Sequence, residues 1–459
     1  MSPLPTRVID VGPPDGSKEP VLLETRGRKG YYAYLSWQWG AEIPEERLTT
    51  QESLQERVQS FPFDKLGQTH LEAIIITRRL GLRYLWIDAL CVIQKGPEGR
   101  EDWLREAQLV GLYLTNASFT MVAPGVGFDY GMFTKRASTE ALLKLDCRRD
   151  SPAFKSPAGT LSIRRPTKNA LEAMSDNVLQ RGWILQELVL PQRNLIFSAE
   201  QIYWNCQTIS SSEGTIVTQM PLLRLKRKDG DDNSALLSRW YHLLETYSAT
   251  KHFHSGDRFP ALMHMAEYVK KLLNSRYYAG LFESDLLRGL LWRAKSMKLT
   301  YEPFSEYIAP SWSWVSFNGP VSYSLAAGVD EQNANTSVLG VSIIPPSSFP
   351  HIISGELKLR ALSRQISTNA IPKDCDFYFD TKQDEDDWRS GHIFFHVLVS
   401  LWQTDLSDMY ARWVGIIVVC VTSRKGVEEF RRVGLAIGPE QETTARNTEG
   451  WKRRDFTII

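Results

Sequence analysis

The sequence predicts an α/β fold with a mostly parallel sheet flanked by helices in the N-terminal domain, followed by a helical segment and a β-rich C-terminal lobe. Two observations support this prediction. Short aromatic or aliphatic runs alternate with segments of helical spacing in the first part of the chain, and strand-like runs dominate the last third. We therefore expect three domains, at residues 1–222, 234–300 and 301–459.

The N-terminal part predicts strand, helix, strand, helix and strand in turn. YYAYLSW (31–37) is a strand, and LGQTHLEAIIITRRLG is a helix capped at its C-terminus by Gly81. LRYLWID follows as a buried strand that ends at Asp88. From Glu101, the segment EDWLREAQLVGLYLTNA predicts one helix, with an apolar stripe through Trp103, Ala107, Val110 and Leu114. SFTMVA (118–123) is then the next strand.

The later elements are predicted from the same patterns. RGWILQELVLP indicates a short helix ended by Pro191, and NLIFSAEQIYWNC alternates like a hairpin. The charge switch in RLKRKDGDDNS (224–234) indicates a linker. Residues 235–293 have helical spacing, whereas GELKLRALSRQI, IFFHVLVSLW, RWVGIIVVCV and FRRVGLAI are strand-like.

Composition limits the possible functions. The 54 basic residues nearly balance the 53 acidic ones, so no long-range field attracts nucleic acid or anionic lipid. The five cysteines are widely spaced and lack a Cys-x-x-Cys pair, which favours free thiols in a reducing compartment. The N-terminus has no signal-peptide layout, and no apolar run approaches the length of about 20 residues that spans a bilayer. We expect a cytoplasmic protein that binds neither nucleic acid nor membrane.

Several separated stretches resemble, in order, the motif blocks of the fungal heterokaryon incompatibility (HET) domain. They are RVIDVG, YAYLSWQWG, LGLRYLWIDALCVIQ, DWLREAQLVGLYLTNA and RGWILQE. The later stretches WYHLLETYS, GDRFPAL, LLW, APSWSWVS and FRRVGLAI resemble regions that often follow that domain. The resemblance implies a fungal protein of non-self recognition and programmed cell death, with an incompatibility protein as a possible partner. One block departs from the family pattern, because Trp37 and Gln38 occupy the two places after the serine.

The resemblance also implies a set of candidate site residues. The candidate catalytic residues are Ser36, Asp88, Glu106 and Glu187, and the candidate substrate-binding residues are Arg181, Trp37, Trp39, Trp86, Trp183 and Gln186. Carboxylates beside a hydroxyl and a guanidinium suit cleavage of a glycosidic bond in NAD or another nucleotide, with Arg181 on a phosphate. HET domains are suggested to be distantly similar to TIR domains, some of which hydrolyse NAD. The alternative is structural: Asp88, Glu106 and Arg181 would form a buried charge network.

Two further functions remain open at this stage. One is a cofactor-free cyclase of fungal secondary metabolism, for example for an intramolecular Diels–Alder cycloaddition, because the tryptophans suit an apolar pocket that folds a small-molecule substrate. The other is a non-catalytic interaction module. We expect no cofactor and no metal, because HFHSGD (252–257) lacks the tight histidine spacing of a zinc site.

Overall fold

The structure is a computed structural model, and it describes most of the chain. The described residues are 1–40, 44–134, 143–147, 159–163, 181–206, 208–213, 225, 227, 230–250, 258–296, 304–326, 329, 336–344, 352–366, 375–402, 412–424, 427–439 and 451–459. They form two compact units, Met1–Leu223 and Arg224–Ile459. Within the described residues, no helix is both long and apolar enough to cross a membrane.

An eight-stranded mixed sheet organises the first unit. Its strands are β1 (Arg7–Asp10), β2 (Val21–Glu24), β3 (Tyr32–Gln38), β4 (Tyr84–Trp86), β5 (Phe119–Val126), β6 (Arg193–Phe197), β7 (Ile202–Cys206) and β8 (Ser210–Ser212), in the spatial order β8-β7-β6-β5-β3-β4-β1-β2. The four central strands β6, β5, β3 and β4 are parallel, and the outer strands pair antiparallel. The α/β prediction is confirmed, but the sheet is mixed rather than mostly parallel, because antiparallel pairs extend it on both sides.

In the described part of the first unit, six α-helices lie between these strands along the chain. They are α1 (Leu54–Gln59), α2 (Gln68–Arg79), α3 (Asp88–Cys91), α4 (Gly96–Ala107), α5 (Val110–Asn116) and α6 (Ile184–Val189). Helix α2 is confirmed, with Gly81 at a φ of +75° just beyond it. A separate hairpin joins Leu143–Cys147 to Gly159–Ile163.

Two local predictions in the first unit are wrong. The expected single helix from Glu101 is divided into α4 and α5, and Trp103 lies at the surface with 36% of its area exposed, outside any buried stripe. The strand before Asp88 ends at Trp86, so that Asp88 is the first residue of α3. Both differences arise because tertiary packing sets where a short element ends.

The second unit begins with helices and ends with a large sheet. Its longer elements are α7 (Asn233–Ser248), α8 (Pro260–Leu273), β9 (Ser337–Ile344), β10 (Ser354–Ile366), β11 (Asp376–Phe379), α9 (Lys382–Arg389), β12 (Phe394–Trp402), β13 (Arg412–Arg424), β14 (Val427–Pro439) and β15 (Lys452–Ile458). Strands β10, β12, β13, β14 and β15 pair in a closed ring, because β15 joins β10 to β14. The prediction of a strand-rich C-terminal part is confirmed.

Candidate functional site

The sheet brings several predicted site residues to one region of the first unit. Ser36 and Trp37 are consecutive in β3, at the point where the pairing of β3 with β5 shifts its register. The neighbouring parallel strand β4 leads into Asp88, at the start of α3. Glu187 lies in α6, and Arg181 lies just before that helix. The carboxyl ends of β3 and β4 therefore converge with α6, although 151 positions separate Ser36 from Glu187 in sequence.

Asp88 accepts hydrogen bonds from three N–H groups. Its Oδ1 accepts from Trp37 Nε1 and from the Ala89 backbone N, both at 2.7 Å, and its Oδ2 accepts from Trp39 Nε1 at 2.8 Å. The two indole rings are stacked, with their centroids 5.9 Å apart. Burial raises the pKa of Asp88, and these three donors together with the Arg181 charge oppose that rise. The carboxylate therefore fixes both indoles at the end of β3.

Glu187 forms the second polar centre. Its Oε2 accepts a hydrogen bond from Ser36 Oγ at 2.5 Å and lies 3.8 Å from Arg181 Nη1. The same Arg181 nitrogen donates to the Trp37 carbonyl oxygen at 2.5 Å. Glu187 is buried, with 6% of its area exposed, and burial raises the pKa of its carboxyl. Arg181 and Ser36 act in the opposite direction.

The two carboxyl groups are electrostatically linked through shared neighbours. The negative charge of Asp88 raises the pKa of Glu187, and the positive charge of Arg181 lowers the pKa of both. The pKa of buried Tyr34 is well above its usual value because of burial and then of these two carboxylates. Two acids, one guanidinium and two hydroxyls thus form a polar group at the end of β3, and we call Ser36, Asp88, Arg181 and Glu187 the carboxylate cluster.

Glu106 belongs to a different hydrogen-bond group. Its Oε2 accepts from the Tyr113 hydroxyl at 2.8 Å, and that hydroxyl also lies 3.0 Å from Thr6 Oγ1. Among the described residues, no hydrogen bond or ion pair joins Glu106 to the carboxylate cluster. Tyr113 lies next to Trp86, with ring centroids 5.8 Å apart. The structure therefore does not bring Glu106 into contact with the other candidate catalytic residues, and its catalytic role stays a prediction.

The candidate binding residues divide by exposure. Trp37 and Trp86 are buried in the core, and Trp86 stacks on Tyr34 with ring centroids 4.6 Å apart. Gln186 is also fully buried. Trp39 and Trp183 are partly exposed and can contact a ligand without a rearrangement of the core.

Sequence reasoning missed two features of this region. Tyr34 faces the same side of β3 as Ser36, and the two-residue period of a strand was the signal that could have found it. Asp102 was also missed. It is buried, accepts from Arg7, from Arg105 and, at 2.8 Å, from the Ile93 backbone N, and thereby holds the chain after α3 against β1 and α4. Among the described residues, no three His, Cys, Asp or Glu side chains form a group that could hold a metal ion.

One comparison with known proteins bears on this region. No curated protein and no solved structure matches the chain. Residues 32–187 match the family model of the heterokaryon incompatibility protein (HET). The matched segment begins with β3 and ends at Glu187, so it includes every member of the carboxylate cluster. The resemblance predicted from the sequence is thereby confirmed over residues 32–187, which are similar to a HET domain.

Proposed function

We propose that this protein acts in fungal non-self recognition and programmed cell death by cleaving the glycosidic bond of NAD or a related nucleotide at the carboxylate cluster. The observation that supports the proposal most is the contact of Ser36 with Glu187 beside Arg181 and Asp88. Enzymes that cleave glycosidic bonds use paired carboxyl groups around a cationic, oxocarbenium-like transition state. Raised pKa values of two neighbouring carboxyls are typical of such sites.

The roles of the two acids follow from their surroundings. Both oxygens of Asp88 already accept from fixed N–H groups, so Asp88 supplies a fixed negative charge and orients Trp39. Within the described residues, Glu187 is held by Ser36 and, more distantly, by Arg181, so in this proposal it is the group that faces the ribosyl cation. Nicotinamide leaves with the bonding electron pair, water attacks the sugar carbon, and Glu187 accepts the proton of that water. The products are ADP-ribose, nicotinamide and one proton.

Arg181 is the phosphate-binding residue in this proposal. Its side chain is 21% exposed, and that of Glu187 is 8% exposed. A guanidinium with free N–H groups at the surface binds the oxygens of a diphosphate in paired hydrogen bonds. The nucleotide would thus lie with its diphosphate on Arg181 and its ribose toward Glu187, next to the partly exposed ring of Trp39.

The test is incubation of the purified full chain with NAD, followed by measurement of released nicotinamide. Glu187→Gln removes the proton acceptor with little change of shape, and we expect at least a 100-fold loss of rate. Glu101→Gln, an exposed site on α4, is the matched control and should retain the wild-type rate. Absence of nicotinamide release by the wild-type protein, or equal rates in both variants, would refute the enzymatic proposal.

A non-catalytic interaction module is the second candidate, and the geometry of Asp88 favours it. A carboxylate that receives three protein donors is well suited to hold a loop in place for recognition. Under this alternative, Asp88→Asn would weaken cell-death activity in a host where expression is toxic, whereas Glu187→Gln would leave it unchanged. Loss of toxicity in Glu187→Gln, with soluble folded protein, would exclude the module.

A further inference from the structure

The second unit contains a cavity that the HET domain does not include. Its volume is about 650 Å³, within the range of about 300–1,000 Å³ typical of small-molecule sites. Its apolar wall is formed by Trp292, Phe304, Tyr307, Ile308, Phe317 and Val421. Its polar lining includes Asp380 after β11, Asp384 in α9 and Arg432 in β14.

Asp380, in this polar lining, has one carboxyl oxygen without a hydrogen-bond partner among the described residues. Asp380 is 9% exposed, and its Oδ2 accepts from Arg432 Nη1 at 2.8 Å. Its Oδ1 is buried and lacks a hydrogen bond within the part of the chain that the structure describes. An unsatisfied buried acceptor is unfavourable, so a ligand that donates to this oxygen gains a favourable contact.

Arg432 is already engaged by the protein. Its Nη2 donates to the Trp292 carbonyl oxygen at 2.6 Å, and its guanidinium carbon lies 3.4 Å from the centre of the Trp292 ring. Its Nε has no acceptor among the described residues, but the positive charge is compensated by Asp380. The neighbouring Arg431 is likewise paired, with its Nη2 2.7 Å from Asp384 Oδ1. Neither guanidinium is therefore available as the main attraction for an anion.

The charged residues that line the cavity determine whether it favours a cationic or an anionic ligand. Among the described residues that line the cavity, two carry guanidinium groups and five carry carboxylates, which are Glu306, Glu356, Asp380, Asp384 and Glu429. The excess negative charge attracts cations and repels anions. Burial raises the pKa of Asp380 to about 7, and an adjacent positive charge favours its ionised form.

We propose that this cavity binds a small organic cation, in which an ammonium group donates to Asp380 Oδ1 and an apolar or aromatic body packs against the Phe304 and Phe317 wall. The ammonium group donates a hydrogen bond to Asp380 Oδ1 and compensates the excess negative charge of the lining. The aromatic wall adds apolar burial and attraction between the cation and the ring faces. The site lies in the second unit and does not depend on the function proposed for the HET domain.

Three probes of similar size test the proposal on the unaltered full chain. They are phenethylammonium, 2-phenylethanol and 3-phenylpropionate, with Kd measured by calorimetry or ligand-observed NMR at moderate salt. We expect the ammonium probe to bind at least tenfold more tightly than the alcohol and the carboxylate to bind weakest. Equal or tighter binding of the alcohol or the carboxylate, or no binding of the ammonium at millimolar concentration, would overturn the assignment.

Variants then locate the site. Asp380→Asn should weaken ammonium binding at least tenfold, whereas Asp455→Asn, an exposed position on β15 outside the cavity, should not change it. If Asp380→Asn does not fold, the double variant Glu306→Gln/Glu356→Gln replaces it, with an expected loss of at least threefold. Unchanged affinity in the folded Asp380→Asn protein, or in the double variant, contradicts the proposal.

Discussion

Replacement of Asp88 by alanine tests whether this carboxylate holds the end of β3 in place. The change removes the acceptor of three N–H groups, from Trp37, Trp39 and Ala89. A hydrogen bond to a charged acceptor contributes about 1.5–3 kcal/mol, which gives a gross loss of about 5–9 kcal/mol. The raised pKa of Asp88 shows that burial disfavours the ionised carboxyl, and its removal returns part of that loss.

We therefore expect Asp88→Ala to lower the free energy of unfolding of the first unit by about 2–4 kcal/mol. Asp88→Asn keeps one acceptor oxygen and should lose about half as much. Urea unfolding of the full chain, followed by circular dichroism, measures the change. Hydrogen exchange at the amides of residues 84–94 assigns the change to this region, because these amides surround α3.

The control is Asp129→Ala. Asp129 also accepts from a protein side chain, Arg47, at 2.7 Å, but its own side chain is 69% exposed. Exposed ion pairs contribute little to stability, so the control should unfold like the wild-type protein. A loss below about 1 kcal/mol in Asp88→Ala would refute the reasoning, since three N–H donors would then lose their shared acceptor at almost no cost in stability.

Three further outcomes follow from the first unit. Burial lowers the pKa of His70 to about 3. Below pH 6.5 the unfolded chain therefore binds a proton at His70 that the folded chain does not bind. The free energy of unfolding should then fall by up to about 1.4 kcal/mol per pH unit. His70→Phe should lack this component in urea titrations, and an unchanged pH dependence would contradict it. Gly67→Ala would place the new Cβ 2.6 Å from the Phe128 Cβ. Thermal unfolding should show that the free energy of unfolding falls by about 1–3 kcal/mol. An unaltered Tm would disprove this expectation. Arg181→Gln removes the charge that lowers the pKa of Glu187, so the pH for half-maximal nicotinamide release should rise; a fall would count against the assigned role.

Elements with a strong local period were predicted well. Helix α2 ends where Gly81 predicts, and the β6–β7 hairpin pairs Phe197 with Ile202 as its alternation indicates. The outer strands β1 and β2 were harder to predict. β1 and β2 have four residues each, too few to define a period, and their positions depend on pairing with each other and with β4.

The candidate site shows the same limit at the level of single residues. Shared motif blocks indicated that Ser36, Asp88 and Glu187 belong together, and the structure places them in one region. They could not distinguish Glu106, which is equally buried but bonded to Tyr113. Which of several buried acids share a site depends on helix direction and on the end of α4, and neither is encoded in local spacing.

The contrast between Asp88 and Glu187 also separates positioning from chemistry. Burial is the main cause that raises both pKa values, and the Arg181 charge lowers both. The rise for Asp88 is further opposed by three N–H donors, whereas the rise for Glu187 is further opposed by one hydroxyl. Protonation of a carboxylate that is held by several rigid N–H donors is unfavourable, because those donors cannot reorient toward another acceptor. The Ser36 hydroxyl can rotate its proton away from Glu187, so Glu187 can accept a proton without leaving a buried N–H unpaired. Glu187 is therefore the acid in which a protonation change is compatible with the surrounding structure, and Asp88 is the one in which it is not.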